Sequence, residues 1–356
     1  MPHPDIDNRT PFAFEPLFIA DEDGRPIVAP IVRATFDVDA RGQVSLAGEQ
    51  LPVNFAGELY GEAGQSSYRL EPETAFFKPA TDVVLVGHAH APRRGTTYVD
   101  VELRVGPVGK WVRVWGDRHA SGSRAGGVTD PAPFEVMPLT FERAFGGWDR
   151  TPEDPGHHGC EPRNPVGVGF RTKHGAVREG DPWPNLEDPY DPIRSVGRAG
   201  KPAGFGFVSP DWQPRAALAG TYDEAWTASR SPLLPTDFDR RFFNAASEGM
   251  VTAEYLHGNE PVLVRQATPE GHWAFHLPGV ARPQCRVVTR MGDDRLLDAN
   301  LDTVIVDADA RQVVLLWRSF MPLREGPLDV RAMTVTCANM ARPPSSEAVP
   351  AGAENA

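Results

Sequence analysis

The chain has 356 residues, of which 34 are glycine and 36 are proline. These two types make up about a fifth of the chain, against about 12% in typical proteins. So many helix breakers exclude a helical bundle or a coiled coil. A hydrophobic fraction of 40% excludes a wholly disordered chain. The net charge of −12 argues against nucleic acid as a partner, because an acidic surface repels phosphate groups.

The chain has no pattern typical of export or membrane insertion. No run of 18 apolar residues occurs, so we expect no transmembrane helix and no membrane partner. The first residues lack the basic and then apolar regions of a secretory signal. The three cysteines, Cys160, Cys285 and Cys337, are odd in number and lack the spacing of a disulfide framework. We therefore expect a cytoplasmic location, where cysteines stay reduced.

The first third of the chain has the patterns of β-strands. Residues 32–38 alternate apolar and polar side chains, which predicts a half-buried strand. A second strand is predicted over residues 83–90. The clearest alternation covers residues 99–105 and is followed by a Gly/Pro turn and by residues 111–115, so we predict a hairpin there.

The middle of the chain has little regular pattern. Between residues 116 and 214, only residues 134–145 and 205–208 look regular. Stretches of this length without secondary structure are usually functional or disordered. The density of aromatic residues favours packing over disorder; they are Trp148, Phe170, Trp183, Tyr190, Phe205, Phe207 and Trp212. We therefore predict long ordered loops that lie over a β core.

One helix is predicted after this region. The residues from Thr221 to Glu224 fit a capping box, in which Thr221 accepts a backbone N–H bond and Glu224 reaches back. Arg230 suits the end of the helix, and Pro232 stops it. Residues 237–246 are expected to form another turn or two.

The last third returns to β-structure. Hairpins are predicted for residues 262–266 with 273–277 and for 303–307 with 312–318, and a final strand for 333–337. The predicted fold is mainly β, with β-sandwich-like sheets from the two end thirds, long ordered Gly/Pro-rich loops and one or two short helices. We predict a single domain over residues 1–340, β-rich at 10–118, loop-rich at 119–235 and β-rich at 236–340. Residues 341–356 are predicted to be a disordered tail.

Two groups of residues could ligate a metal, but neither has a complete ligand set. His88 and His90 share one face of a predicted strand, and no third or fourth ligand is indicated. His157, His158 and Cys160 lie together in a Gly/Pro loop, without the second ligand pair of a structural zinc motif. We predict no cofactor and no metal site, and the second group is the one that leaves the question open.

Carboxylates support one enzymatic alternative. A glycosidase needs two carboxyl groups that face each other across a sugar. The aromatic loop region and its surroundings offer Glu142, Asp149, Glu187, Asp188, Asp223, Glu224, Asp237 and Asp239. A carbohydrate-active enzyme that uses such a pair is therefore the alternative function.

Familiar catalytic motifs are absent from the sequence. No Gly-x-Ser-x-Gly nucleophile elbow occurs, and no phosphate-binding P-loop. Gly167 and Gly169 lack the third glycine of a dinucleotide fingerprint. These absences favour a protein that is not an enzyme.

Several motifs occur in a characteristic order along the chain. They are residues 77–83 (FKPATDV), 113–118 (RVWGDR), 138–147 (PLTFERAFGG), 164–170 (NPVGVGF), 184–189 (PNLEDP), 219–226 (AGTYDEAW), 230–235 (RSPLLP), 237–239 (DFD), 241–246 (RFFNAA), 258–262 (GNEPV) and 275–279 (FHLPG). In these motifs the chain resembles the bacterial family called domain of unknown function 2169. The resemblance covers roughly residues 10 to 335. The group of His157, His158 and Cys160 lies between the matching motifs, not within them.

The resemblance implies an accessory role in type VI secretion. Such proteins are thought to be adaptors or chaperones that load an effector onto the spike before export. The implied partners are a secreted effector (a toxin) and a spike-tip protein. No catalytic residues are implied, so the expected function is that of a non-enzymatic adaptor.

Aromatic and arginine residues within the motifs are the predicted contacts for these partners. Aromatic and arginine side chains supply most of the binding energy of protein interfaces. The predicted set is Phe141, Arg143, Phe145, Trp148, Tyr222, Trp226, Phe242 and Phe243. Core packing is the competing explanation for every aromatic residue in this set.

Overall fold

The computed structural model describes residues 4–121, 127–193 and 200–340. Strands in the first third are β1 (Asp5–Asn8), β2 (Ala13–Ala20), β3 (Pro26–Val38), β4 (Val44–Leu46), β5 (Glu58–Leu59), β6 (Tyr68–Leu70), β7 (Asp82–Val86), β8 (His88–His90), β9 (Tyr98–Val105), β10 (Val108–Trp115) and β11 (Arg118–His119). Those in the middle are β12 (Val136–Pro138), β13 (Phe145–Gly146), β14 (Trp148–Asp149), β15 (Gly159–Cys160), β16 (Val168–Gly169), β17 (Pro182–Trp183) and β18 (Leu186–Glu187). The last third adds β19 (Pro261–Arg265), β20 (His272–His276), β21 (Gln284–Thr289), β22 (Asp294–Asp298), β23 (Asn300–Asp307), β24 (Gln312–Arg318), β25 (Met321–Pro322) and β26 (Val330–Thr336).

Helical structure is scarce in the described residues. The α-helix α1 covers Glu224–Ser229, and the 3-10 helices cover Phe141–Arg143, Pro155–His157, Arg215–Ala219, Arg240–Phe243 and Pro327–Asp329. No helix in the described part of the chain is long and apolar enough to cross a membrane.

Three larger sheets organise the structure, and each joins strands from both ends of the chain. The largest has the order β2-β3-β24-β23-β7, with β4 and β25 also paired to β3. A five-stranded sheet has the order β18-β10-β9-β19-β20, and a four-stranded sheet the order β1-β26-β21-β22. The prediction of a mainly β fold is therefore confirmed.

The three hairpins predicted from the sequence are present. The structure pairs β9 with β10, β19 with β20 and β23 with β24, all antiparallel. The predicted strand over residues 83–90 is divided at Gly87, whose φ of 144° breaks the ladder between β7 and β8. Strand β2 and the β21–β22 hairpin were not predicted.

Strand β3 corrects the prediction of a half-buried strand. It lies inside the largest sheet, and its polar residues Arg33 and Thr35 are as buried as its apolar ones. The second face is covered by chain that supplies polar partners. Arg33 pairs with Glu73 at 3.0 Å, and the Gln50 side chain exchanges hydrogen bonds with the Thr35 backbone at 2.9 and 2.8 Å. In β3, the alternation of polar and apolar residues therefore marks a polar face and an apolar face, and both are buried.

The described part of the middle region consists of loops and short strands, as predicted. Four of its aromatic residues, Trp183, Phe205, Phe207 and Trp212, are buried in the core. Trp148 is 53% exposed and Tyr190 is 83% exposed, so not every aromatic residue in these loops packs inward. The predicted tail, residues 341–356, lies outside the described residues.

The predicted capping box is wrong in detail. Helix α1 begins at Glu224, and its N-cap is Asp223, whose carboxylate accepts the Trp226 N–H at 2.8 Å. The Thr221 hydroxyl instead donates to Asp237 at 2.8 Å. Asp223 lies two residues closer to the helix than Thr221. Its negative charge is also favoured at the positive end of the helix dipole, so Asp223 is the N-cap.

Asp149 shows what the candidate carboxylates do in this region. Its side chain is fully buried and accepts four hydrogen bonds, from the backbone N–H and hydroxyl groups of Thr151 and Thr172. Burial raises the pKa of Asp149, but these bonds outweigh burial and lower the pKa to about 2. The carboxylate therefore ties two loop segments together.

We predict that Asp149→Asn lowers the free energy of unfolding by about 2 kcal/mol at neutral pH, because the amide cannot accept all four bonds. A lowered pKa in the folded state stabilises above the ordinary pKa of 3.8, and this stability is lost as pH falls towards about 2. Urea unfolding across this range should show the gap between wild type and variant narrowing with acid. The exposed Asp154→Asn is the control, and a gap independent of pH would contradict the assignment.

Candidate partner-binding cleft

One face of the largest sheet carries buried charges. The strand register places Arg33 on β3, Arg318 on β24, Asp307 on β23 and Asp82 on β7 on the same side. We call these four residues the charged face. Each is less than 10% exposed. Buried charges need partners, because removing an ion from water is costly.

Most of the partners come from residues 69–78, which we call the covering segment. Arg69 contacts Asp307 at 2.6 Å, Glu73 contacts Arg33 at 3.0 Å, and Lys78 contacts Asp82 at 2.7 Å. The remaining cation, Arg318, pairs with Asp302 of β23 at 2.6 Å. Ion pairs therefore hold the covering segment in register with the sheet.

Burial dominates the electrostatics of the carboxylates in this layer. It raises the pKa of Glu71, of Glu73 and of Asp302, even though cations lie beside all three. Burial likewise raises the pKa of Asp307. The contact between the charged face and the covering segment is therefore stable only while each buried charge keeps its partner.

Asp82 links the covering segment to a second element. Its carboxylate accepts the Asn244 side-chain N–H and the Ala245 backbone N–H, each at 2.9 Å, in addition to the Lys78 ammonium. Asn244 is the C-cap of the 3-10 helix Arg240–Phe243. The FKPATDV and RFFNAA motifs thus meet at one buried carboxylate.

Arg215 fixes the same 3-10 helix from the other side. Its guanidinium donates to the carbonyl oxygens of Phe242 and Val208, each at 2.7 Å, and pairs with Glu71 of the covering segment. The guanidinium carbon lies 5.0 Å from the centre of the Phe242 ring, which adds a cation–π contact. Phe242 is thereby held at one orientation.

These elements surround a mainly apolar cleft of about 710 Å³, which we call the apolar cleft. Its walls come from the end of β2 and the turn after it, from the covering segment and the residues next to it, and from the segment that follows α1. The lining residues are Ile19, Ala20, Asp21, Gly24, Tyr68, Glu71, Pro72, Thr74, Ala75, Phe76, Pro210, Arg215, Pro232, Leu233, Leu234, Phe242 and Phe243.

Hydrogen bonds hold the wall that follows α1. The Trp226 indole N–H donates to the Leu233 carbonyl at 2.8 Å, and Arg230 donates to the Leu234 carbonyl at 2.7 Å. The wall packs closely on the turn after β2, where Gly24 has a φ of 80°. This positive φ favours glycine, and a methyl group at Gly24 would lie 2.5 Å from the end of the Leu233 side chain, which would have to move.

Four of the eight predicted partner contacts belong to the cleft or its support. Phe242 and Phe243 line the cleft. Trp226 supports the cleft wall, and its ring packs against the exposed ring of Tyr222 at 4.7 Å. The two motifs that the structure joins here, AGTYDEAW and RFFNAA, therefore shape one surface.

The other four predicted contacts lie elsewhere. Phe141 and Phe145 are 5% and 4% exposed and belong to the core, so they are not presented to a partner in this structure, and their role as partner contacts stays a prediction. Phe141 is buried because it packs against Trp212, with the ring centres 5.6 Å apart. Arg143 is half-exposed and pairs with Asp117 at 3.1 Å. Trp148 is exposed but does not line the cleft.

Three of the five candidate metal ligands make other contacts. His88 lies 2.7 Å from Asp309, His157 stacks on His174 at 3.9 Å, and His158 hydrogen-bonds the Pro152 carbonyl. In the part of the chain that the structure describes, no group of three or more His, Cys, Asp or Glu side chains could hold a metal ion.

Several candidate carboxylates of the enzymatic alternative have structural contacts. Glu142 accepts the backbone N–H and hydroxyl of Ser67. Glu187 is buried and pairs with Arg118 at 2.8 Å. Asp239 caps the 3-10 helix through the Arg241 N–H. These contacts hold loop segments in place. None of the three carboxylates lines the apolar cleft.

Sequence reasoning missed most residues of the apolar cleft. Ile19 lies on an unpredicted strand, and Glu71 and Arg215 carry no motif signal. Leu233 and Leu234 lie within the RSPLLP motif, and this motif is the sequence signal that could have pointed to them as cleft residues. Their apolar exposure depends on chain segments about 200 residues apart, which no local pattern can show.

The family model of uncharacterized proteins conserved in bacteria (DUF2169) matches residues 23–318. The chain belongs to this family. The match includes Gly24, the covering segment, the wall after α1 and the RFFNAA motif, whereas Ile19 lies before it. No curated protein and no solved structure matches the chain. In this DUF2169 protein, most residues that line the apolar cleft therefore lie within the part of the chain that the family model matches.

We predict that Asp82→Ala lowers the free energy of unfolding by about 3 to 5 kcal/mol, because the buried Lys78 loses its near carboxylate and keeps only that of Glu71 at 3.9 Å. The control is Asp294→Ala, which removes an ion pair with Arg286 that is exposed to solvent and should therefore change the free energy of unfolding far less. Urea denaturation of both variants measures the difference. Equal losses in the two variants would contradict the role of Asp82.

Proposed function

We propose that this protein is a non-enzymatic cytoplasmic adaptor or chaperone that binds a type VI secretion effector and helps load it onto the spike complex. The observation that carries the proposal is the apolar cleft, which is built by family motifs beside the edge strand β2. The type VI context rests on the resemblance of the motif series to its family.

The chemistry of the apolar cleft suits a protein segment. Its volume of about 710 Å³ lies within the range of ligand sites, and its lining is mainly apolar. Of its three charged lining residues, Glu71 and Arg215 pair with each other, and Asp21 is partly exposed. The remaining lining offers Leu233, Phe242 and Phe243, and apolar side chains of a partner gain free energy by burial against such residues.

Strand β2 offers the second recognition element. It pairs with β3 along one side and stands at the edge of the sheet. Within the described residues, no backbone hydrogen bond joins its other side to another strand. An extended effector segment can add to such an edge through main-chain hydrogen bonds. Ile19, at 41% exposed, belongs to both the strand and the cleft.

An effector bound in this way uses two kinds of contact. Main-chain pairing with β2 tolerates many sequences, whereas apolar side chains inserted into the cleft select among them. The segment must be extended and accessible in the effector before export. The adaptor then shields this apolar segment until the spike-tip protein receives the cargo.

We predict that Ile19→Lys abolishes co-purification of the effector encoded beside this protein, because it places a charge at the cleft and beside the strand edge. The matched control is Ile6→Lys, which changes an isoleucine 43% exposed on β1 of the four-stranded sheet. Thermal unfolding should be nearly the same for both variants and wild type, since both sites are exposed.

The comparison has a clear opposite outcome. Retention of the effector by Ile19→Lys, or equal loss in both variants, would remove the apolar cleft from the binding surface. Failure of the wild-type protein to retain either an effector or a spike-tip protein would overturn the adaptor function itself.

A further inference from the structure

The five-stranded sheet is incomplete beside strand β9. Strand β10 pairs with all of β9, whereas β19 pairs only with residues 102–105 of it. Strand β19 ends at Arg265, and the chain turns at Gln266, whose φ of 55° ends the extended backbone. Residues 97–101 therefore have a paired strand on one side only, and we call their other side the open β9 edge.

Two residues direct backbone groups to the open β9 edge. Successive residues of an antiparallel strand bond to opposite sides. The Thr97 carbonyl accepts the Gly116 N–H at 2.9 Å on the β10 side, so the backbone groups of Tyr98 and Asp100 point the other way. Within the described residues, no backbone hydrogen bond reaches Tyr98 or Asp100 from the open side.

A pocket of about 660 Å³ lies along the open β9 edge. It is lined by most of residues 95–100, by Arg265 and the turn after it, and by Trp111. The Phe134 N–H bonds to the Thr96 carbonyl at 3.0 Å, which closes the edge at its other end. Five residues of strand span about 17 Å, so a segment of about five extended residues fits between these limits. Such a segment can pair with the exposed backbone by strand addition.

Positive charge around the pocket selects the side chains of this segment. The carboxylate of Glu102 is buried and is shared by Arg104 at 2.8 Å and Arg265 at 3.0 Å, and the side chains of both arginines are more than half exposed. Arg93 is exposed and also lines the pocket. Two arginines that share one carboxylate leave a local excess of positive charge on a chain whose net charge is −12. An acidic segment is complementary to this surface.

The carboxylate that lines the pocket does not cancel this charge. Asp100 is bound by the Arg113 guanidinium through two hydrogen bonds of 2.7 and 2.8 Å. The same guanidinium carbon lies 5.0 Å from the centre of the Tyr98 ring, which is 48% exposed. Aromatic and arginine side chains of this kind supply much of the binding energy at protein interfaces.

We propose that the open β9 edge receives an extended acidic segment of a partner protein as an added strand. The main chain of the segment bonds to Tyr98 and Asp100, and its carboxylates pair with Arg265 and Arg93. The pocket shares no lining residue with the apolar cleft, so this proposal and the proposed effector surface can fail independently.

Three capped pentapeptides separate main-chain pairing from charge. The peptide TEVET offers both, TKVKT reverses the charge, and TEVET with N-methylated glutamate and valine amides keeps the charge but loses main-chain donors. Fluorescence anisotropy of the labelled peptides with the full chain should show saturable binding of TEVET alone. Hydrogen–deuterium exchange should then slow at the Tyr98 and Asp100 amides and stay unchanged in β22.

A pair of variants tests the charge contact. Arg265→Gln should weaken TEVET binding about tenfold, the equivalent of about 1.4 kcal/mol, while Glu102 keeps its pair with Arg104. Arg295→Gln is the matched control, since Arg295 is an exposed arginine on β22 that does not line the pocket, and it should bind as wild type does. No saturable TEVET binding, equal binding of either other peptide, unchanged exchange at Tyr98 and Asp100, or equal affinity in the two variants would each overturn the proposal.

Discussion

The carboxylate of Asp82 is the contact on which the arrangement of the candidate site depends. It is fully buried on β7 and joins three parts of the chain. Lys78 reaches it from the covering segment, while Asn244 and Ala245 reach it from the end of the 3-10 helix that carries Phe242. The sheet therefore sets the position of two of the elements that border the apolar cleft.

The ion pairs of the charged face contribute more to the position of the covering segment than to the free energy of folding. A buried ion pair gains little over apolar residues of the same size, because desolvation offsets most of the attraction. An unpaired member is costly, however, so every shift of the covering segment along the sheet is opposed. We therefore interpret the pairs of Arg33 with Glu73 and of Lys78 with Asp82 as devices that fix register. This interpretation is a hypothesis about specificity, and the response to loss of one partner tests it.

Much of the fold follows from local sequence patterns, whereas the site does not. Strand segments on either side of a turn identified the β23–β24 hairpin, and period-two alternation identified the β9–β10 hairpin, because each needs only neighbouring residues and a turn. The same pattern at β3 gave the right strand and the wrong environment, because Arg33 faces a second buried layer. Helix α1 was predicted, but competition between Thr221 and Asp223 for its cap depends on geometry.

The residues of the candidate cleft were only partly predictable. Phe242 and Phe243 were chosen for their type within a motif, and the structure places them at the cleft. Phe141 and Phe145 were chosen on the same grounds, and they are buried. Residue type cannot separate a core aromatic from an exposed one. The apolar cleft itself arises from the meeting of segments distant in the chain, which alternation and motifs do not encode.

Hydrogen–deuterium exchange of the Lys78→Met variant tests most directly whether Asp82 positions both elements. Loss of the Lys78 ammonium leaves the buried Asp82 carboxylate without its cation, which destabilises the junction that Asp82 forms with Asn244 and Ala245. The account predicts faster exchange at backbone amides of residues 71–78 and 240–245, with no change in the β9–β10 hairpin. Faster exchange throughout the chain, or no change at residues 240–245, would contradict it.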